Sequence, residues 1–282
     1  MTLSVTRRNF LATSTRVSGA LAAVLYAGNG YARPSNSPNE KLNLAAIGVA
    51  NKGKHNIDMM KDQNWVAFCD VDESFLNKSG EEFPSAVKFR DYRKMFDKLA
   101  GRFDGVVIST ADHTHAPATS IALDLGKHVY CEKPLTHTVA EARTVARLAA
   151  EKKVATQMGI QIHAEDNYRR VVELVRGGAV GTVSKVYTWC NKGWSNGRFA
   201  GGVHVQPSQL DWDLWLGPAA NRPYYPSVHP GDWRRFWEFG SGTFGDMACH
   251  VMDLPFWALE LRSPTRVRCE GPDRHPDGAP SW

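Results

Sequence analysis

From residue 42 onward, short apolar runs alternate with stretches of helical period. The runs 42–49, 65–68, 86–89, 105–109, 128–131 and 155–158 read as strands. The stretches 74–82, 92–99, 116–125 and 138–152 between them read as helices. Strands that alternate with helices predict βαβ units, and their near-continuous apolar character predicts a parallel sheet covered on both faces. Residues 42–160 are therefore expected to form a doubly wound α/β domain around a parallel sheet. Beyond about residue 160 the pattern changes. Eight of the nine tryptophans lie past residue 188, among many glycines and prolines, and 166–176 reads as one helix stopped by Gly177 and Gly178. Residues 161–282 are expected to form a second domain of different build.

The first 32 residues follow neither pattern. Ser4-Val5-Thr6-Arg7-Arg8-Asn9-Phe10-Leu11 is a twin-arginine sequence, followed by a weakly apolar run and a small-residue site ending at Ala32. This predicts a Tat signal peptide over 1–32 and a polar, proline-bearing linker over 33–41. The Tat translocase is the expected partner during export, and the expected destination is periplasmic or otherwise extracytoplasmic.

Composition narrows the class further. The 282 residues carry 34 Lys+Arg against 29 Asp+Glu, and without 1–32, which hold Arg7, Arg8, Arg16 and no acid, the balance is 31 against 29. No basic block remains to suit nucleic acid. The five cysteines, Cys69, Cys131, Cys190, Cys249 and Cys269, are scattered without a paired spacing and read mostly as buried thiols, and no metal site is expected.

Candidate chemistry falls at the ends of the expected strands. After the first comes Gly48-Val49-Ala50-Asn51-Lys52-Gly53, a G-x-A-x-x-G variant of the dinucleotide turn. Its chemistry needs a tight turn at Gly48, close approach to the pyrophosphate at Ala50, and close helix packing at Gly53. Asp70, 22 residues beyond Gly48 at the end of the second strand, suits ribose hydroxyls and favours NAD over NADP; Asp72 is the alternative for that role. The fourth strand ends at Thr110-Ala111-Asp112-His113-Thr114-His115, and the fifth at Glu132-Lys133-Pro134. Taken alone, Glu132-Lys133 is an ordinary solvated ion pair. A following proline keeps Lys133 out of a helix, so its ammonium can enter the crevice at the carboxyl edge of the sheet. Asp246 and His250 stand one helical turn apart, so a carboxylate can orient an imidazole base or form a structural pair.

Together, the Gly48–Gly53 turn, Asp70, Asp112 with His115, Glu132-Lys133-Pro134 and the Asp246–His250 helix resemble the Gfo/Idh/MocA oxidoreductases. The resemblance runs from about Leu42 to Pro264. It implies an N-terminal Rossmann domain and a C-terminal α+β domain with an open sheet over the active site. It also implies NAD(P)-dependent hydride transfer to or from a sugar, cyclitol or related polyol. By that likeness Lys133 binds the reacting hydroxyl, His250 is the acid/base, and Asp246 orients substrate or His250. Cofactor contacts fall to Gly48, Ala50, Asn51, Gly53, Asp70, Thr110, Asp112, His115, Glu132 and Lys133. Among the second-domain aromatics and polar groups, Trp194 and Arg198 join Lys133, Asp246 and His250 as expected substrate contacts, whereas Trp215 and Trp257 read as core.

Two departures stand out: Ala50 replaces the usual second glycine, and Ala111 the usual proline before Asp112. The chain ends at Trp282 where such proteins continue through further strands, so the second domain is expected to be partial; homo-oligomers are expected where it is complete. Two alternatives stay open: an NAD-dependent glycosidase or sugar lyase that recycles its cofactor by transient oxidation, and a non-catalytic sugar-binding protein on the same fold.

Overall fold

A computed structural model describes residues 41–199 and 201–271. The expected signal peptide, nearly all of the 33–41 linker and the last eleven positions lie outside the described residues.

Six parallel strands form one sheet in the order β3-β2-β1-β4-β5-β6. They are β1 (Asn43–Ile47), β2 (Asn64–Cys69), β3 (Val87–Phe89), β4 (Gly105–Ile108), β5 (His128–Glu132) and β6 (Thr156–Gly159). Strand order reverses between β1 and β4, the switch point at which open α/β sheets hold ligands. Alternation decides which face each side chain meets. Ala45, Ile47, Val106 and Ile108 pack on one side with Met95, Phe96, Phe103 and Leu123. Leu44, Ala46 and Val107 pack on the other with Ile57, Phe68 and Leu76. Burial on both faces is why these strands are apolar throughout.

The helices are α1 (Lys52–Met59), α2 (Glu73–Glu82), α3 (Tyr92–Leu99), α4 (Asp112–Asp124) and α5 (Val139–Lys152). Asp72 caps α2 through the Ser74 N–H at 2.9 Å, and Thr138 caps α5 in a reciprocal box with Glu141. The α4 helix differs from the sequence expectation. It begins at Asp112 rather than Ala116, with Ala111 extended before it and Pro117 inside it. Pro117 in the second turn only deletes one ladder bond near the helix entrance. The change matters, because Asp112 to His115 become a rigid first turn instead of a loop.

Beyond β6 come α6 (Asp166–Arg176), α7 (Trp212–Leu216), α8 (Gly242–Val251) and α9 (Asp253–Ala258). Leu210, Trp212, Trp215, Val228, Trp233, Phe236 and Phe239 form a third buried cluster, in which Trp212 and Trp215 stack at 4.7 Å. Trp257 stacks on His163 at 4.3 Å. The described part of this domain is helical and irregular and adds no strand of its own: 181–199 has no regular element, and Trp189 is 79% exposed. A segment becomes a strand only by bonding to a neighbour, and among the described residues none lies alongside it. Of the cysteines, Cys69 and Cys131 are buried, Cys190 and Cys249 are half-buried, and Cys269 is exposed. Among the described residues no helix is long and apolar enough to cross a membrane.

Candidate active site

A cleft of about 740 Å³ runs along the carboxyl edge of the sheet. At its floor the backbone turns sharply at Gly48, whose φ is 82° and whose N–H donates to the Cys69 carbonyl at 2.8 Å. A Cβ at Gly53 would stand 2.0 Å from the Gly48 carbonyl oxygen, so α1 can start this close to β1 only with glycine there. Gly53 therefore lies beneath the turn, whereas Gly48, Ala50 and Asn51 line the cleft. The amino end of α1 adds a favourable field for phosphate. These features fit a dinucleotide.

Asp70 lines the cleft at the end of β2 and accepts the Val49 N–H at 2.9 Å and the Asp72 N–H at 3.0 Å. Asp72 is occupied in capping α2 and is not among the cleft-lining groups. Burial pushes the Asp70 carboxyl up to about 6, although the backbone N–H bonds pull the other way. The group is thus ionised above that pH and protonated below it, and only the ionised form accepts hydrogen bonds from both ribose hydroxyls. NADH affinity is accordingly expected to fall about tenfold as pH drops one unit below this value. Fluorescence titration between pH 7 and 5 measures it, and a slope that persists in Asp70→Asn would exclude Asp70 as its source.

Glu132, at the end of β5, is 6% exposed. Its Oε1 accepts from Asn56 Nδ2 at 2.9 Å and Tyr130 OH at 3.3 Å, and Lys52 Nζ lies 3.6 Å away. A buried carboxylate requires such partners. Glu132 thus ties α1 to β5 while bordering the cleft. Asn56 and Lys52 were missed in the sequence reading because the pairing spans more than 70 positions and leaves no local signal. His115 is 1% exposed, and its ring nitrogens meet the carbonyls of Pro134 at 2.7 Å and Thr110 at 3.0 Å. It joins the loops after β4 and β5, so that its contact with the cleft is through the ring and not through a nitrogen.

At the far end of the cleft Lys133 meets Asp246, which α8 supplies. Lys133 Nζ is 2.5 Å from Asp246 Oδ1 and 3.0 Å from the Asp246 carbonyl oxygen. Trp194 Nε1 donates to Asp246 Oδ2 at 2.7 Å, and Arg234 Nε stands 3.4 Å from Oδ1. Burial alone would raise the Asp246 carboxyl, but Lys133, Trp194 and Arg234 hold it below its ordinary value. Arg234 lies over the Trp233 ring at 4.1 Å and lines the cleft, a placement hidden in the Trp-Arg-Arg run of the sequence. Asp112, 4% exposed, also lines the cleft; burial pushes its carboxyl up to about 7 against the opposing charges of Arg234 and Lys133.

The expected orienting bond from Asp246 to His250 is not formed among the described residues, because Lys133, Trp194 and Arg234 take both carboxylate oxygens. His250 shares the α8 helix but is not among the cleft-lining groups, and burial followed by the Lys133 charge keeps its ring below the ordinary histidine value. Thr110 lines the cleft; Arg198 is exposed and does not. Among the described residues no group of three or more His, Cys, Asp or Glu could hold a metal ion.

Comparison with known proteins gives two family matches. Residues 42–160 match an oxidoreductase family with an NAD-binding Rossmann fold, Gfo/Idh/MocA, and residues 167–282 match the C-terminal alpha/beta domain of that family. The chain is 30% identical over 144 residues to inositol 2-dehydrogenase 2 of Mycolicibacterium vanbaalenii, covering 50% of this chain and 42% of that protein. It is 25% identical over 233 residues to the rhizopine catabolism protein MocA of Rhizobium meliloti, covering 81% and 60%. The WlbA dehydrogenase of Bordetella pertussis, solved with NADH and UDP-GlcNAcA, shares the fold at a TM-score of 0.55 and 18% identity, covering 78% of this chain and 59% of that one. The chain thus spans between 42% and 60% of the length of these relatives.

Proposed function

The chain belongs to the Gfo/Idh/MocA oxidoreductases, and on that premise we propose that it oxidises or reduces a CH–OH group of a sugar, cyclitol or related polyol with NAD. The observation that carries this reading is the placement of Lys133 in one cleft with the Gly48 turn and Asp70. A bound nicotinamide supplies or accepts the hydride there. Lys133 Nζ, steadied against Asp246, donates to the reacting oxygen and offsets negative charge as it develops. His250 is the proposed proton acceptor, held neutral near pH 7 by burial and by the charge of Lys133. Trp194 and Arg234 border the same carboxylate, a rigid indole beside a fixed set of donors that suits a ring with a C–H face and several hydroxyls. Relatives named as inositol, levoglucosan and D-apiose dehydrogenases support this substrate class.

We place the mature protein outside the cytoplasm, exported by the Tat translocase on residues 1–32, and assembling as a homo-oligomer where the second domain is complete. The Arg7-Arg8 pair supports export, and retention of an Arg7→Lys, Arg8→Lys chain in the cytoplasm is its check. Mass determination in solution checks the assembly. The function itself is tested by NADH titration followed by a panel of inositols, aldoses and anhydrosugars. A substrate-dependent change in nicotinamide absorbance is expected. Glycoside cleavage without net absorbance change would replace the reading with the cofactor-recycling one, and binding without turnover would leave a sugar-binding protein.

A further inference from the structure

The second position of the dinucleotide turn is Ala50, whose methyl group stands where the usual glycine lets the backbone come against the pyrophosphate. A methyl group there holds a phosphate farther from the backbone N–H groups that would bind it. The buried carboxylate of Glu132 borders the same cleft and repels an anion. A doubly anionic diphosphate on this turn therefore calls for a cation beside it.

Lys52 is placed to be that cation. It is the first residue of α1, two positions past Ala50, and lines the cleft together with Ala50, Asn51 and Glu132. Its Nζ donates to Asn56 Oδ1 at 2.8 Å and lies 3.6 Å from Glu132 Oε1. The buried Asn56 amide cannot turn over, because Nδ2 is committed to Ser109 Oγ at 3.1 Å and to Glu132 Oε1 at 2.9 Å. The ammonium is thus held in place before any ligand arrives. Asn56 takes one of its three N–H donors, and Glu132 stands past the range of a good hydrogen bond. The side chain is 29% exposed and borders the cleft, so the donors left over are open to a ligand there.

We propose that Lys52 is a cofactor-binding residue whose ammonium bonds to the diphosphate of the dinucleotide, making up for the Ala50 methyl group and offsetting the charge of Glu132. This rests on the NAD reading of the cleft. Backbone N–H groups and the field at the amino end of α1 supply partial charges to the anion, whereas Lys52 supplies a whole one. Cofactor affinity should therefore carry a salt dependence that belongs to this side chain.

The test is NADH fluorescence titration of the full chain and of Lys52→Met, Lys52→Arg, Glu132→Gln and the Lys52→Met, Glu132→Gln pair. At about 20 mM salt, Lys52→Met is expected to weaken NADH about tenfold and Lys52→Arg to stay within about threefold. At about 0.5 M salt the loss in Lys52→Met should shrink to less than about threefold, because charges that solvent reaches are screened. As competitors of NADH, ADP-ribose should lose affinity in Lys52→Met by the same factor, and adenosine, which has no phosphate, should not. Unchanged NADH affinity in Lys52→Met, or equal loss for ADP-ribose and adenosine, would overturn the proposal. The Glu132→Gln background separates a lysine that only pairs with Glu132 from one that touches the cofactor, and decides the matter if Lys52→Met alone fails to fold around a stranded carboxylate. Lys52→Met should still cost about tenfold in that background, and no cost there would overturn the assignment. Failure of the unaltered chain to bind NADH would overturn the cofactor reading, and this assignment with it.

Discussion

Lys133→Met is expected to reduce turnover about 10³-fold, the largest loss from any single side chain in the cleft. Lys133 Nζ contacts both the carboxylate and the backbone carbonyl of Asp246, so its position is fixed before substrate arrives. Removing a donor fixed in this way from a developing oxyanion costs about 10²–10³ in rate, and loss of the ammonium charge adds to it. The same substitution disturbs the fold. Asp246 is 6% exposed, and without Lys133 its carboxylate keeps, among the described residues, Arg234 at 3.4 Å and Trp194 at 2.7 Å. Breaking a buried pair from one side costs about 3 kcal/mol. Pairing Lys133→Met with Asp246→Asn removes the stranded charge, so melting should recover while turnover should not. Steady-state rates and thermal melts on the two variants separate the effects, and a single variant within tenfold of the unaltered rate would remove Lys133 from the reacting oxygen.

Gly48→Ala should abolish dinucleotide binding and weaken the fold together. Its φ of 82° is unfavourable for alanine, and the new Cβ would lie 2.6 Å from the Ser109 carbonyl oxygen, a backbone atom that cannot swing aside. Strain and overpacking together amount to about 3 kcal/mol. In a chain of this size that is a fall in melting temperature of roughly 6–12 °C. NADH affinity should drop at least about 100-fold, since the turn that brings the backbone to the pyrophosphate is displaced. Gly126→Ala is the control: φ is 68° but nothing lies within 4 Å, so it keeps the backbone strain without the collision. It should cost about 1 kcal/mol and leave NADH affinity unchanged. A Gly48→Ala protein that binds NADH normally would show that the turn is not the cofactor floor.

The elements of the first domain were legible because each is governed by a local period. Runs such as 105–109 and 128–131 are apolar on both faces since the sheet is covered on both, and α3 matches its expected span of 92–99. The reach of Lys133 into the crevice was legible for the same kind of reason: a strand end followed by proline is a local pattern. The start of α4 was not, because Pro117 argues locally against a helix that the surrounding packing supports.

What the sequence determined by itself, then, was the order of strands and helices, the glycine turn, and the chemical types available at each strand end. These follow from periodicity and backbone sterics, which act over a few residues. The tertiary structure alone decided which groups meet. Asp246 bonds to Lys133, Trp194 and Arg234 rather than to His250, Glu132 is held by Asn56, and His229 stands beside Asp72. Apart from Arg234, which is 12 positions from Asp246, the two members of each pair are more than 50 positions apart. Buried charge and orphaned polar atoms are satisfied by whatever folding brings within about 3 Å, and that proximity leaves no trace in the local order of residues.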